Sequence, residues 1–386
     1  MLVIMRKRLH IGVVGGGIAG CASALMLARD GHEVDLFERT PRIGPVGAGI
    51  LLQPSGQAVL QNLGLLESIA AVAEPIDELI AYTHRNRLLS RLPYRDHTPG
   101  MYALGVHRAD LFAVIHGALV GSGVRVHLGQ IINGTIATAE KRVLLADDKS
   151  IGAFDMVIAA DGSRSALRQV SGLQAFVHAY QPAALWAVGH SNQVRGQLMQ
   201  YTRGACELCG LLPMGGGRCS FFWGVDQREW ATLRTHSFAD WRSRVLRLAP
   251  LSESIFETVK DWSALLFSSY RAVVMPRVVR DRLVIIGDAA HAAGPHLGQG
   301  VNLALMDAAL LCASLEANES LHSALNGYNA AQRNRNAWYS FATAALMPSF
   351  QGRLPGLGWA RDQVLPRLQQ LPPIRRLMLQ TLCGRW

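Results

Sequence analysis

The sequence predicts an α/β fold: a Rossmann-like nucleotide-binding domain on a parallel sheet, an antiparallel sheet inserted into it, and a C-terminal helical tail. Three patterns carry that reading. Short apolar runs alternate with glycine turns and helical periodicity as far as Ala160. From about 176 to 225, strands follow one another with only turns between them. A Val/Ile-rich run at 282–286 then restores buried-strand character before two long helical patterns.

Residues 9–14 are apolar, Gly15-x-Gly17-x-x-Gly20 follows directly, and Ala/Leu-rich periodicity predicts a helix over Ile18–Arg29. In such a unit Gly15 permits the tight turn, Gly17 lets the backbone approach a pyrophosphate, and Gly20 lets helix and strand pack closely; Ile18 and Ala19 bring their N–H groups to the positive helix end. The strand predicted at Glu33–Glu38 ends in an acid 18 positions past Gly20, where a carboxylate meets an adenosine ribose hydroxyl. Glu38 is therefore the candidate ribose ligand, with Arg39 beside it. The glycine-rich stretch Gly44-Pro45-Val46-Gly47-Ala48-Gly49 enters a short apolar strand and suits a flat ring, with Gly49 as the contact. A helical pattern at 55–63 stops at Gly64, and 78–92 reads as strands. The helix predicted over 108–120 buries Leu111, Phe112, Ile115 and Leu119 and ends at Gly121-Ser122-Gly123. Strands follow at 124–127, 142–146 and 151–160, the last running into Asp161-Gly162.

The inserted sheet is read from strands at 183–189, 197–202, 208–214 and 219–225, the last two joined through Gly215-Gly216-Gly217-Arg218. Helices at 298–315 and 321–340 close the pattern. The domains expected are a discontinuous nucleotide-binding unit (1–78, 99–176 and 273–340), a substrate unit (79–98 and 177–272) and a C-terminal helical segment (341–386).

A chain of 386 residues, 49% hydrophobic, has material for a large core and two connected lobes. Its formal charge of +10 comes almost wholly from scattered arginines, which favours anionic cofactors and small acidic or phenolic ligands over a nucleic-acid partner. The six cysteines are irregularly spaced; Cys206-x-x-Cys209 lacks the further ligands of a zinc site, so no metal is expected and the thiols read as buried. No apolar run is read as reaching the ~18 residues of a bilayer span. At the start, Arg6-Lys7-Arg8 follow the apolar residues, the reverse of a secretory signal, so a cytoplasmic location is expected.

Four segments together resemble the single-component, FAD-dependent aromatic hydroxylases of the para-hydroxybenzoate hydroxylase type, over roughly residues 9–340. They are Gly15-x-Gly17-x-x-Gly20, Arg108-x-x-Leu111, Asp161-Gly162-Ser163-Arg164-Ser165-x-x-Arg168 and Gly287-Asp288-Ala289-Ala290-His291-x-x-x-Pro295-x-x-Gly298-Gln299-Gly300-x-Asn302. The resemblance implies FAD as cofactor and NADH or NADPH as co-substrate. Asp288 would bond the ribityl chain, Arg108 would contact the cofactor, and Asp161 would support FAD and the visiting nicotinamide. Pro295, Gly298, Gly300, Val301 and Asn302 would pass close to the flavin ring. In the family, reduced flavin captures dioxygen as a C4a-hydroperoxide whose terminal oxygen hydroxylates an aromatic or polycyclic small molecule. Pro295, His296 and Tyr201 are the residues placed at the reaction, His296 and Tyr201 as polar handles; Met199, Leu212, Phe221 and Trp223 are the expected substrate wall. His291 is expected to brace its loop. Relatives often carry an acid before the Asp-Ala of the late helix, where this chain has Leu305-Met306-Asp307-Ala308.

Two other readings are an FAD-dependent reductase or dehydrogenase on an isoprenoid or quinone-like substrate, and a non-catalytic flavin-binding protein. The tail carries Arg353, Arg361, Arg367, Arg375, Arg376 and Arg385 among Leu, Trp and Pro, resembling some ubiquinone-pathway hydroxylases. It is expected to pack on its own body or on the second subunit of a homodimer, with peripheral contact at the inner membrane surface as the alternative.

Overall fold

The computed structural model describes residues 8–42 and 47–384. Met1–Met5, Arg6 and Lys7 of the start, Gly44, Pro45 and Val46 of the glycine-rich loop and Arg385 of the tail lie outside the described residues.

The central sheet has six strands in the order Val279–Arg280, Leu283–Ile285, Met156–Ala159, His10–Val14, Glu33–Glu38 and Arg125–Leu128. All neighbours are parallel except the first pair. Its middle strands are buried on both faces, which is why they read as apolar runs without alternation. The helix Ile18–Arg29 covers one face, and a three-stranded antiparallel sheet (Gly134–Ala137, Arg142–Ala146 and Lys149–Phe154) covers the other through Leu144 and Phe154, against which Gly12 sits. The strand expected over 151–160 is thus two strands. Asp155 breaks it: its side chain accepts from His10 N (2.9 Å) and its own N–H donates to His10 O (2.8 Å), turning the chain from one sheet into the other.

The inserted sheet has seven strands in the order Leu266–Val274, Phe176–His190, Arg218–Asp226, Glu207–Pro213, Gln197–Arg203, Glu78–Thr83 and Leu88–Pro93. A third small sheet, Gly49–Leu52, Ala103–His107 and Glu74–Ile76, joins the two lobes. Two glycines make that joint possible. A Cβ at Gly105 would fall 2.0 Å from Pro213 O, and one at Gly49 would fall 2.7 Å from the Ser220 Cβ, while Gly49 N donates to Ser220 Oγ at 2.9 Å.

The helix expected to end near 340 continues as Leu321–Gln351, and the tail adds Leu357–Leu368 and Pro372–Cys383. These pack on the protein's own body. Leu379, Leu382 and Cys383 enter a core with Leu51, Tyr94, Leu212 and Met214, and Gln299 donates to Thr381 O and Leu382 O. Arg353 pairs with Asp226 and Glu229, Arg375 with Asp96, and buried Arg361 with Asp362, while Arg367 donates to Gln363 O, so most of the tail's described arginines serve internal contacts. Trp359, Val364 and Leu368 remain exposed.

One expectation needs correction: the helix Gly300–Ala317 does reach 18 residues, with a mean hydropathy of 1.4. It includes Asp307, fully buried and ion-paired, and packs in the core with Leu25 and Leu325, the interior helix of a large domain.

Candidate functional site

The three glycine-containing turns expected to hold a dinucleotide converge. Gly15 has φ +109°, and a Cβ there would meet Ala160 O at 2.3 Å; one at Gly20 would meet Gly15 O at 1.9 Å. These two glycines are demanded by close backbone packing. Gly17 is different, because a Cβ there would have nothing within 4 Å among the described residues. It opens onto free space at the N-terminus of Ile18–Arg29, which has no side-chain cap and no acid in its first turn. Glu38 closes one side. Its Oε2 accepts from Gly16 N at 2.6 Å, and its Oε1 accepts from the Thr40 N and Oγ1, both at 2.9 Å. Arg39 next to it is exposed.

The other two turns are tied to this one. A Cβ at Gly287 (φ +59°) would lie 3.0 Å from the Ala19 Cβ. The buried Arg168 guanidinium donates to Ala289 O (2.8 Å) and Ser163 O (2.9 Å), stapling the Asp161–Ser165 turn to the Gly287–His291 turn. Asp161 Oδ2 accepts from Leu167 N at 3.2 Å, while its Oδ1 is buried without a hydrogen-bond partner among the described residues. Asp288 is exposed, with Oδ1 3.9 Å from where a Gly300 Cβ would be, facing the first turn of Gly300–Ala317. Arg108 is exposed and its stem packs against Gly47. Gly298 takes φ +61° beside Leu51. The Asn302 side chain is committed to its surroundings: it donates to Leu51 O and Gly298 O and accepts from Gln53 N. Among the six residues 15–20 and these neighbours, Gly15, Gly17, Ile18, Ala19, Gly20, Glu38, Asp161, Asp288, Gly298, Gly300, Val301 and Asn302 are brought to one edge of the central sheet.

Beneath this edge lies a buried charge cluster that sequence reasoning named only in part. Asp307 Oδ2 accepts from Gly287 N at 2.8 Å and meets His291 Nε2 at 2.5 Å, and Oδ1 takes the Arg335 guanidinium. Burial pushes this carboxyl up, but His291, Arg335 and the Gly287 N–H together hold it below its ordinary value. It is therefore ionised, and His291 Nε2 donates. His291 braces the turn, and the acid it needs is Asp307 itself.

The substrate wall is where the structure disagrees with expectation. Met199, Tyr201, Phe221 and Trp223 lie on the far face of the inserted sheet, packed with Trp241, Val245 and Phe256 of the flanking helices. Tyr201 stacks on Tyr82, and burial pushes its phenol up to about 12. The four share a face because Tyr201 pairs with Cys209 and Cys209 with Trp223, Met199 with Leu211 and Leu211 with Phe221. Only Leu212 lies on the opposite face, against Leu51 of the joining sheet. That face also carries Ser220, Gly210, Trp186 and Phe222; the Phe222 ring lies across Gly210, 2.0 Å from where a Cβ would be. His296 does reach this side: it meets Tyr270 edge to face at 6.3 Å and lies beside Gln351, and a Cβ at Gly294 would meet both His296 and Met347. Tyr270 was not foreseen, since nothing in its local sequence marks it.

Glycine conformations, the uncapped helix start, the open space at Gly17 and the unpartnered Asp161 oxygen all fit FAD. A family profile described as an FAD binding domain matches residues 8–339. Aurachin C monooxygenase/isomerase of Stigmatella aurantiaca is 29% identical, over 86% of this chain and 87% of that one. The 3-amino-4-hydroxybenzoate 2-monooxygenase of Streptomyces cremeus is 30% identical, over 81% and 79%. The crystal structure of Klebsiella pneumoniae HpxO with FAD and uric acid superposes with a TM-score of 0.84 at 22% identity, covering 100% of this chain and 99% of that chain. The chain belongs to the FAD binding domain family and, within it, to the FAD-dependent aromatic monooxygenases.

Proposed function

We propose that this protein uses NADH or NADPH to reduce bound FAD and then places one atom of dioxygen on an aromatic substrate held between the inserted sheet and the segment from Pro295 to Asn302. The observation that carries this reading is the convergence of three separate turns on one edge, with Gly17 open to space while Gly15 and Gly20 are packed shut. Bound flavin supplies the electron transfer and the oxygen activation; the chain supplies binding, orientation and exclusion of water.

The N–H groups at the start of Ile18–Arg29 take the pyrophosphate, and Glu38 accepts from the adenosine ribose. Asp288 accepts from a ribityl hydroxyl, and Arg108 adds positive charge near the phosphates. The first N–H groups of Gly300–Ala317, at Gly300, Val301 and Asn302, face the pyrimidine edge, where the positive helix end favours the extra charge of the reduced ring. The Asn302 side chain fixes that helix start against Leu51 and Gln53, so its contribution to the flavin runs through the backbone. Pro295 fixes the approach of the loop, and Leu212 with its face of the inserted sheet screens the reacting atoms from water.

Purified, FAD-loaded protein is tested with NADH and NADPH under isotope-labelled dioxygen with a panel of phenols and heteroaromatic compounds. One labelled oxygen atom in the product supports the reading. Product formed without label would indicate the reductase chemistry, and yellow protein that never oxidises NAD(P)H would indicate a flavin-binding protein without catalysis.

A further inference from the structure

The long helix Leu321–Gln351 ends against the face of the inserted sheet that carries Leu212 and Phe222, and its last turns are pinned there from three directions. Gly352 N donates to Ala205 O at 2.7 Å, in the turn between Gln197–Arg203 and Glu207–Pro213. Gln351 donates Nε2 to Ala183 O at 3.0 Å and lies over Gly224, where a Cβ would come within 2.5 Å of that nitrogen. One turn back, Met347 packs where Gly294 lacks a side chain: a Cβ there would fall 2.5 Å from Met347 Cε and 3.0 Å from His296 Nδ1. Two bare glycines thus let the helix end and the His296 imidazole meet.

A backbone carbonyl can pair only with the NH2 end of a carboxamide, so the bond to Ala183 O sets which way the Gln351 amide points and leaves its oxygen for His296. The histidine meets Gln351 as an acceptor: their hydrogen bond favours the protonated ring, against burial, which pushes it down to about 4. Near neutral pH the ring is therefore uncharged, with one N–H and one lone pair. Tyr270 faces it edge to face at 6.3 Å, held protonated by burial and with no hydrogen-bond partner for its hydroxyl among the described residues. No carboxylate among the described residues pairs with the ring. Arg271 follows Tyr270 on the strand, so it alternates to the other side, where its charge opposes that of Arg168.

We propose that Gln351 is a positioning residue for His296: it accepts the one N–H of the ring, which keeps the lone pair of the other nitrogen free to accept from a hydroxyl or N–H on the aromatic substrate. This rests on the monooxygenase reading above and adds to it a residue that acts through His296 rather than on the reacting atoms. A neutral imidazole carries its proton on either nitrogen, and the bond made by one nitrogen decides which. Without Gln351 a share of the molecules would turn an N–H toward the substrate, and two donors face to face make no hydrogen bond. A carboxamide suits the task because it fixes the proton without adding a charge that would hold the ring as imidazolium.

The test is NMR of the ring nitrogens in FAD-loaded enzyme carrying isotope-labelled histidine, at neutral pH and without turnover. His296 is identified by the resonances that vanish in His296→Phe. The parent protein should show two well-separated resonances, one from a protonated and one from a bare nitrogen. Gln351→Leu should draw them toward a common averaged position, whereas Gln351→Glu, which still offers an oxygen, should keep them apart. Lost stability alone would lower the melting temperature without mixing the tautomers, so the two readouts separate positioning from scaffolding. Phenol is the ligand probe, and anisole, which lacks the hydroxyl, is its control. Phenol should move the bare-nitrogen resonance in the parent protein, and anisole should leave it in place. A parent ring that averages its tautomers, a folded Gln351→Leu ring that keeps only one, or a bare nitrogen that phenol leaves unmoved overturns the proposal; the first and third are read on the parent protein alone. Protein that takes up no FAD would instead sink the functional reading itself, and product formed without labelled oxygen would sink the monooxygenase reading while the tautomer result stood.

Discussion

His291 and His296 are five residues apart on one loop and are treated in opposite ways by the fold. His291 is buried with Nε2 on an ionised aspartate that also holds Arg335 and the Gly287 N–H. His296 has its ring nitrogens buried with only the Gln351 side chain beside them, and no ionised partner among the described residues. Gly20 and Gly17 repeat the contrast in the first turn: one is glycine because backbone presses on it, the other borders open space. In both pairs, one residue is locked into the protein's own packing and the other is left loosely held. Substitutions should therefore divide into those that cost stability and those that cost binding.

The largest effect is expected at Asp307. Asp307→Ala leaves the Arg335 charge, His291 and the Gly287 N–H buried together without their acceptor, and breaking a buried pair in this way costs about 3–5 kcal/mol. Denaturant unfolding should show a loss of that size, with FAD released because the Gly287 turn loses its brace. His296→Phe, by contrast, should leave the unfolding midpoint at neutral pH nearly unchanged. Equal losses in the two variants would erase the distinction between the histidines.

The next effect is on pH dependence. A histidine whose pKa falls on folding is protonated first in the unfolded chain, so stability drains away as pH falls from about 6.5 and the loss is complete near the folded value of about 4. For His296 this amounts to up to about 3 kcal/mol. Asp307 acts in a lower window: its carboxyl is held below its ordinary value, so its contribution is present above about pH 4 and is lost only on further acidification. Melting curves between pH 6.5 and 4 should therefore slope downward in the parent protein and flatten in His296→Phe. An unchanged slope would mean that His296 is hydrated in solution.

These contrasts also explain what could be read in advance. The three turns were legible because each depends on local requirements, a glycine at a fixed offset from a buried strand and an acid at the end of the next one. Glu207–Pro213 is buried at all seven positions, so its sequence carries no polar alternation to say which face looks toward the flavin. The aromatic residues Tyr201, Phe221 and Trp223 attracted attention as a substrate wall, yet they belong to the face covered by the flanking helices. Tyr270 becomes visible only once its strand has paired with Phe176–His190 and the loop carrying His296 has folded beside it. The role of Asp307 likewise depends on Arg335, 28 positions away, reaching across from the next helix.

A smaller pair of effects separates the glycines. Gly20→Ala places a methyl group 1.9 Å from Gly15 O, and relieving such a clash costs about 1–3 kcal/mol of stability. Gly17→Ala meets nothing within 4 Å and has an ordinary φ of −77°, so the fold should accept it. Its methyl instead occupies the space assigned to the pyrophosphate. Calorimetry of the two apoproteins should show a lower melting temperature for Gly20→Ala alone. Titration with FAD, followed by quenching of flavin fluorescence, should show affinity falling about tenfold or more in Gly17→Ala.

Glu38 tests whether one residue can serve both purposes, and the effect should be the smallest. Its carboxylate is already used by Gly16 N and by Thr40, so it braces the first turn much as Asp307 braces the third. Unlike Asp307 it is only partly buried, and water can replace what a substitution removes. Glu38→Gln keeps one oxygen for the Gly16 N–H and should cost about 1 kcal/mol of stability or less. If the carboxylate also accepts from the adenosine ribose, FAD affinity should fall several-fold beyond that structural cost, because the exchange removes the stronger, charge-assisted acceptor. If affinity and stability fall by the same small amount, Glu38 only holds the turn in shape, and the ribose must find its acceptor elsewhere along the edge.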